Sequence, residues 1–174
     1  VKIEIIDLHK SFGTRTVLDG VTLDVMDGEI LCIIGKSGTG KSVIMKHLVG
    51  ILTADSGNIT VNGISYRTAD QDTLRSVHGK FGILFQGAAL FDSMNVYDNI
   101  AFGLRRKKIP ENEIGSIIPR MLEQVGLRGI EEKKPSELSG GMQKRVGLAR
   151  SIAVHPEIML YDEPTTGVDP ITGE

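Results

Sequence analysis

Thiol chemistry is nearly absent from this chain, which has a single cysteine, Cys32. An internal disulfide is therefore excluded, and its place within Ile30-Leu31-Cys32-Ile33-Ile34 reads as a buried thiol suited to a reducing compartment. Long hydrophobic runs are missing as well. Nothing approaches the roughly 18 residues that a membrane span needs, and no signal peptide is visible, so a membrane role would have to come through a partner. Neither sign of charge dominates: the formal net charge is −2, which gives no global pull toward nucleic acid or an anionic membrane. There is no internal repeat and no low-complexity tract. His9, His47, His78 and His155 show no metal-binding spacing. What remains is 174 residues with 40% hydrophobic content, enough for one sizeable core with a subdomain. The chain starts at Val1 rather than Met and stops at Thr172-Gly173-Glu174 with no evident terminal element, which reads as a fragment.

The hydrophobic pattern divides the chain by texture. Residues 1–8, VKIEIIDL, alternate at first and read as a strand. TVLDGVTLDVMDGEI holds two strand-like pieces around the turn dipeptides Asp19-Gly20 and Asp27-Gly28. Residues 30–34 read as a strand buried on both faces, as does FGILF at 81–85. DSGNITVNGISY reads as turn, strand, Asn62-Gly63 turn, strand. From about Phe91 to His155 charged, helical segments replace strands; Pro156 then ends a helix and EIMLYDEP returns to a buried strand.

Between the first buried strand and a helix expected to run to Val49, with Gly50 as its stop, lies Gly35-Lys36-Ser37-Gly38-Thr39-Gly40-Lys41-Ser42. It fits G-x-x-x-x-G-K-[ST]. The glycines let successive N–H groups curl inward, and with the helix N-terminus they make an anion nest. Lys41 can reach β- and γ-phosphates, and the Ser42 hydroxyl can ligate Mg²⁺. A chance Gly-rich turn would not need to sit between a strand and a helix. The second half of such a site is an acid at the end of a neighbouring strand. Asp162, after Ile158-Met159-Leu160-Tyr161, can hold Mg²⁺ through water, and Glu163 is placed to polarise an attacking water. Alone, Asp-Glu-Pro would read equally as a strand-ending turn.

LSGGMQKRVGLARSIAVHP, 138–156, resembles the signature of ABC-transporter ATPases, whose core is LSGGQ. Ser139, Gly140 and Gly141 stand at a new helix N-terminus; Met142 departs from the usual glutamine, and Gln143 follows it. A capped amphipathic helix, with Met142, Val146, Ala149 and Ala153 inward, accounts for the helix but not for two glycines in its first turn. The resemblance covers essentially the whole chain. It makes Gln86 the glutamine that senses Mg²⁺ and water and faces a transmembrane partner. It makes TTGVDP, 165–170, the segment whose Asp169 reaches across a dimer. Phe12 matches the aromatic that stacks on adenine, with Val17 packing nearby, although a lone Phe near a strand is more often core. LFQGAALFDSMNVYDNIAFGL, 84–104, further resembles the Mla-type subfamily, the ATPases of MCE-linked phospholipid transporters, in Gly87-Ala88-Ala89-Leu90-Phe91, Met94-Asn95-Val96 and Asp98-Asn99.

The resemblance implies an α/β fold: a P-loop core with an antiparallel β subdomain, residues 1–90 with 157–174, and an inserted helical subdomain, 91–156. It implies that ATP and Mg²⁺ bind, that Lys41, Gln86 and Glu163 serve hydrolysis, and that Ser42, Gln86 and Asp162 hold the metal. Ser139, Gly140, Gly141 and Asp169 would close on the nucleotide of a second ATPase subunit. A membrane permease and an MCE-type lipid-binding protein are the further expected partners, at the cytoplasmic face of the inner membrane. Another transported substrate, or a non-transport clamp on DNA or ribosomes, is the alternative. Arg105-Arg106-Lys107-Lys108 reads as a solvated face or a contact near the membrane partner, and no nucleic acid is expected. No residue fills the family's switch-histidine position, which belongs beyond Asp169, so the fragment is expected to be close to inactive as an ATPase.

Overall fold

A computed structural model describes residues 2–163. The chain divides into two compact units, Val1–Lys80 and Phe81–Glu174. The first is built on a four-stranded antiparallel sheet in the order β2-β1-β3-β4: β1 is Ile3–Phe12, β2 Arg15–Val25, β3 Ser56–Val61 and β4 Ile64–Ser65. Alternation puts Ile3 and Ile5 in the core beside Ile59 and Val61. The period then breaks. Asp7 takes a left-handed φ of 50° and the register shifts between Ile5 and Leu8, so Leu8 rather than Asp7 turns inward. Asp19-Gly20, read as a turn, is a second bulge inside one continuous β2: Leu8 pairs with Val21 and Lys10 with Leu18. A turn dipeptide is a bulge where the strand on both sides keeps its partner.

Helix α1, Lys41–Leu48, buries Ile44, His47 and Leu48 and ends at Val49 with Gly50 at φ 73°, as expected. The Tyr66 hydroxyl donates to the Leu48 carbonyl at 2.6 Å, satisfying one of the orphan acceptors at that helix end. A helix not anticipated, α2 (Gln71–His78), is capped by Asp70, whose carboxylate accepts from Thr73 N at 2.8 Å. The buried strand expected at 30–34 does not form. The segment pairs with nothing as a strand, Ile30 is 95% exposed, and Cys32 is exposed rather than buried. An apolar run becomes a strand only where neighbouring edges offer hydrogen-bond partners, and none of the described residues does so here.

In the second unit β5, Phe81–Leu84, pairs in parallel with β6, Ile158–Tyr161, from Phe81 opposite Ile158 to Leu84 opposite Tyr161. β5 is largely buried; β6, expected to be buried, is half-buried, with Tyr161 exposed. Helices α3 (Val96–Arg106), α4 (Glu111–Gln124) and α5 (Gly140–Ala153) share one core of Ile100, Leu104, Ile114, Ile118, Leu122 and Val146. Beyond α5, His155 at φ 47° and Pro156 stop the helix. Among the described residues, no helix is long and apolar enough to cross a membrane.

Candidate functional site

The glycine loop lies in the first unit, exposed from Gly35 to Thr39 and entering α1 at Gly40. Gly40 is buried at φ 102°, and a Cβ there would stand 2.9 Å from Leu18 Cδ2 and 3.1 Å from the Val17 carbonyl oxygen. Only glycine lets the loop turn this tightly against β2. Gly38 is also left-handed, at φ 79°. Thr39 Oγ1 donates to the Lys36 carbonyl at 2.9 Å, and Ser37 stands exposed between them. The Lys41 ammonium folds back into the loop, donating to the carbonyls of Gly35 at 2.8 Å and Lys36 at 2.9 Å. A phosphate oxygen is a stronger acceptor than either neutral carbonyl, so this cation is poised to exchange partners. Ser42 is half-buried in the first turn of α1, which carries no acidic residue to repel an anion.

Phe12 closes β1 and is 47% exposed, so it is not core; the Lys10 ammonium lies 5.7 Å from its ring centre. Val17, half-buried, packs instead against Gly40.

In the second unit, the Asp162 amide donates to the Leu84 carbonyl at 2.9 Å, prolonging the β5–β6 pairing to the acid pair. Glu163 follows at φ 47°, and the Gln86 side-chain amide donates to its carboxylate at 3.0 Å. Two residues 77 positions apart are thus joined at the ends of adjacent parallel strands. After Gln86 the chain turns through Ala88 at φ 60° and Ala89 at φ 49°, with Ala88 buried and Ala89 exposed. Phe91 and Phe102, both partly exposed, pack with ring centres 5.0 Å apart. A surface depression beside them is lined by Met94, Asp98, Phe102, Arg105 and Arg106.

Ser139 caps α5, its hydroxyl accepting from the Met142 amide at 3.3 Å. Gly140 and Gly141 are exposed, and a Cβ on either would meet nothing within 4 Å. The described contacts therefore do not require glycine at either position, and the bare backbone is open to close approach. Gln143 turns inward and donates to the carbonyls of Pro135 and Leu138 at 2.9 and 3.3 Å.

The family model described as ABC transporter matches residues 18–166. The chain belongs to the ABC transporter family. It is 47% identical over 172 residues to the probable ribonucleotide transport ATP-binding protein mkl of Mycobacterium leprae, covering 98% of this chain and 50% of that protein. It is 42% identical over 171 residues to the intermembrane phospholipid transport system ATP-binding protein MlaF of Haemophilus influenzae, covering 98% of this chain and 65% of that one. Among solved structures, the dimeric post-hydrolysis state of the ATP-binding cassette MJ0796 bound to ADP and Pi aligns with a TM-score of 0.88 at 28% identity, over 98% of this chain and 78% of that one. The chain thus spans between half and two-thirds of the length of these two curated relatives.

Within this ABC transporter chain, the second unit brings together Gln86 and Glu163, and the first brings together the glycine loop, Val17 and Lys41. Asp169 lies outside the described residues, as does all of TTGVDP at 165–170. The Mla-like stretch acquires local explanations. Asn95 caps α3 by accepting from the Asp98 amide at 2.8 Å. Asn99, fully buried, accepts from Phe91 N at 2.8 Å and donates to the carbonyls of Phe91, Met94 and Asn95. Arg105 in the basic run is stapled to Asp98 and Glu111, each at 2.7 Å; its guanidinium holds the Glu111 carboxyl below the usual range, chiefly through that hydrogen bond. Two arginines escaped the sequence reading. Arg15 reaches the Gly38 carbonyl at 3.4 Å, and Arg150 donates to the carbonyls of Ala88 and Ala89 at 2.7 and 2.8 Å. No spacing rule links such positions, because all three bonds go to backbone carbonyls, which any residue type provides.

Proposed function

We propose that this chain is the nucleotide-hydrolysing part of an ABC transporter, converting ATP and water to ADP and phosphate to drive a membrane permease. The observation that carries this is the Lys41 ammonium seated inside its own glycine loop. In this reading the loop amides of 35–42 and Lys41 hold the phosphates and stabilise the charge that develops on them, which is the main source of catalysis in phosphoryl transfer. Phe12 and Val17 contact the base. Ser42, Asp162 and Gln86 supply the oxygen donors that suit Mg²⁺, a hard cation; when bound, that ion supplies positive charge to the phosphates. Glu163 polarises the attacking water. Nucleotide binding belongs to residues 1–90 with 157–174, and 91–156 presents Ser139, Gly140 and Gly141, with Asp169 of the core, to the nucleotide of a second subunit. In the full-length protein, Lys41→Ala is expected to weaken Mg·ATP binding by roughly 10- to 100-fold in calorimetry, the worth of a hydrogen bond to a charged group. Unchanged affinity would remove the glycine loop from the site.

For the transported substrate we propose phospholipid, with an MCE-type lipid-binding protein as a further partner, acting at the cytoplasmic face of the inner membrane. Support comes from the similarity of residues 84–104 to that subfamily and from the 42% identity to a protein named for intermembrane phospholipid transport. Reconstitution with the permease in vesicles carrying a labelled phospholipid tests this. ATP-dependent movement of a ribonucleotide instead would favour the function named for the mycobacterial relative.

A further inference from the structure

We propose that Arg150 is a positioning residue for hydrolysis: from α5 it clamps the turn that follows Gln86 and so keeps the Gln86 amide on the Glu163 carboxylate. This rests on the reading of Glu163 as the group that polarises water. The two guanidinium nitrogens of Arg150 donate to consecutive carbonyls, Nη2 to Ala88 at 2.7 Å and Nη1 to Ala89 at 2.8 Å. Its guanidinium carbon lies 5.7 Å from the centre of the Phe91 ring. Among the described residues no carboxylate pairs with it, and burial pushes its pKa down. A half-buried cation held by neutral acceptors is an effective way to fix a backbone, since the planar fork dictates where both carbonyls point. One turn earlier on the same face of α5, Gly147 abuts the turn as well. A Cβ there would stand 3.0 Å from the Ala88 Cβ and 3.3 Å from its Cα. The turn needs this help, because alanine does not hold a left-handed backbone unaided and here two in succession do. Gln86 lies between the end of β5 and this turn, so its backbone is set by the strand on one side and by the clamp on the other. Its exposed side chain then reaches Glu163 at 3.0 Å.

The test is a double-mutant cycle on kcat in the full-length protein assembled with its partners, using Arg150→Lys, Gln86→Ala and the pair. Lysine keeps the charge and most of the stem but loses the fork. Arg150→Lys is expected to lower kcat roughly 10-fold, with KM for Mg·ATP within about 2-fold and the melting temperature unchanged, as fits the removal of an interaction made in the transition state. If Arg150 acts through Gln86, the double variant is no slower than Gln86→Ala alone. Effects that multiply, or a fall in kcat matched by an equal loss of ATP binding, would overturn the proposal. Should Arg150→Lys fail to fold, Gly147→Ala pushes on Ala88 directly and should show the same split and the same non-additivity. Glu163→Gln separates the two readings. Full hydrolysis by that variant removes the role of Glu163 on which the clamp proposal rests; a dead Glu163→Gln beside a wild-type Arg150→Lys removes the clamp alone.

Discussion

Glu163 and His78 show how much one side chain's surroundings decide. Glu163 accepts from the Gln86 amide at 3.0 Å, a neutral donor that orients a carboxylate without cancelling its charge. Glu163→Gln in the full-length protein is expected to keep ATP affinity and slow turnover by roughly 10²-fold or more, the usual worth of a general base. Single-turnover assays beside binding isotherms read this, and turnover near the wild-type rate would exclude Glu163 as the base. His78 packs edge-on to Tyr66 at 5.3 Å, against Gly50 at the end of α1, and its Nε2 has no partner among the described residues. Burial holds its pKa below the ordinary 6.5. As pH falls, the unfolded chain takes up this proton first. The contribution of His78 to stability is therefore complete above about pH 6.5 and is lost as pH drops through the folded value. The melting temperature should fall between about pH 7 and pH 5, and His78→Phe should flatten that part of the profile. An unchanged slope in the variant would assign the loss to other groups.

At the scale of the element, helices were more legible than strands. The bounds of α1 follow from glycines at both ends, and α5 from Ser139 and the inward spacing of Val146, Ala149 and Ala153. These are local signals, carried by the element's own residues. Strand identity depends on a neighbour instead, so the apolar run at 30–34 looked as convincing as 81–85, yet only the latter finds a parallel partner. The segment between Phe91 and α3 is held by a device no pattern announces: Asn99, from inside α3, satisfies three carbonyls and one amide. Asn99→Ala would leave the Phe91 amide without its acceptor in a part-buried place and should cost roughly 1–3 kcal/mol in urea unfolding with an unchanged slope. A cost below about 0.5 kcal/mol would mean that water replaces it.

On the scale of the whole molecule, we expect a permease to dock on the stretch that follows Gln86, Gly87 to Phe91, in which Gly87, Ala89 and Phe91 are exposed. Ala89 is exposed, and its left-handed backbone accepts aspartate better than most residues. We expect Ala89→Asp in the full-length protein to abolish co-purification with the permease while Mg·ATP binding and the circular dichroism spectrum persist. A charge set into an apolar docking surface leaves an unpaired ion in the interface, whereas the glycine loop is untouched. Normal co-purification would remove this stretch from the docking surface.

The sequence alone determined the local conformation of the glycine loop and of the glycine-bearing helix start, because each is a short run whose backbone demands are met by its own residues. Gly40 had to be glycine to turn, and Ser139 caps the helix that follows it. Only the tertiary structure decided which apolar run found a strand partner, that Asp19-Gly20 bends a strand rather than ending it, and that Gln86 meets Glu163. It alone placed Arg150 on the two alanine carbonyls. The physical reason is common to these cases. Backbone hydrogen-bond partners carry no residue identity, and pairings across many positions are selected by which surfaces pack together, a choice that no local pattern of side chains encodes.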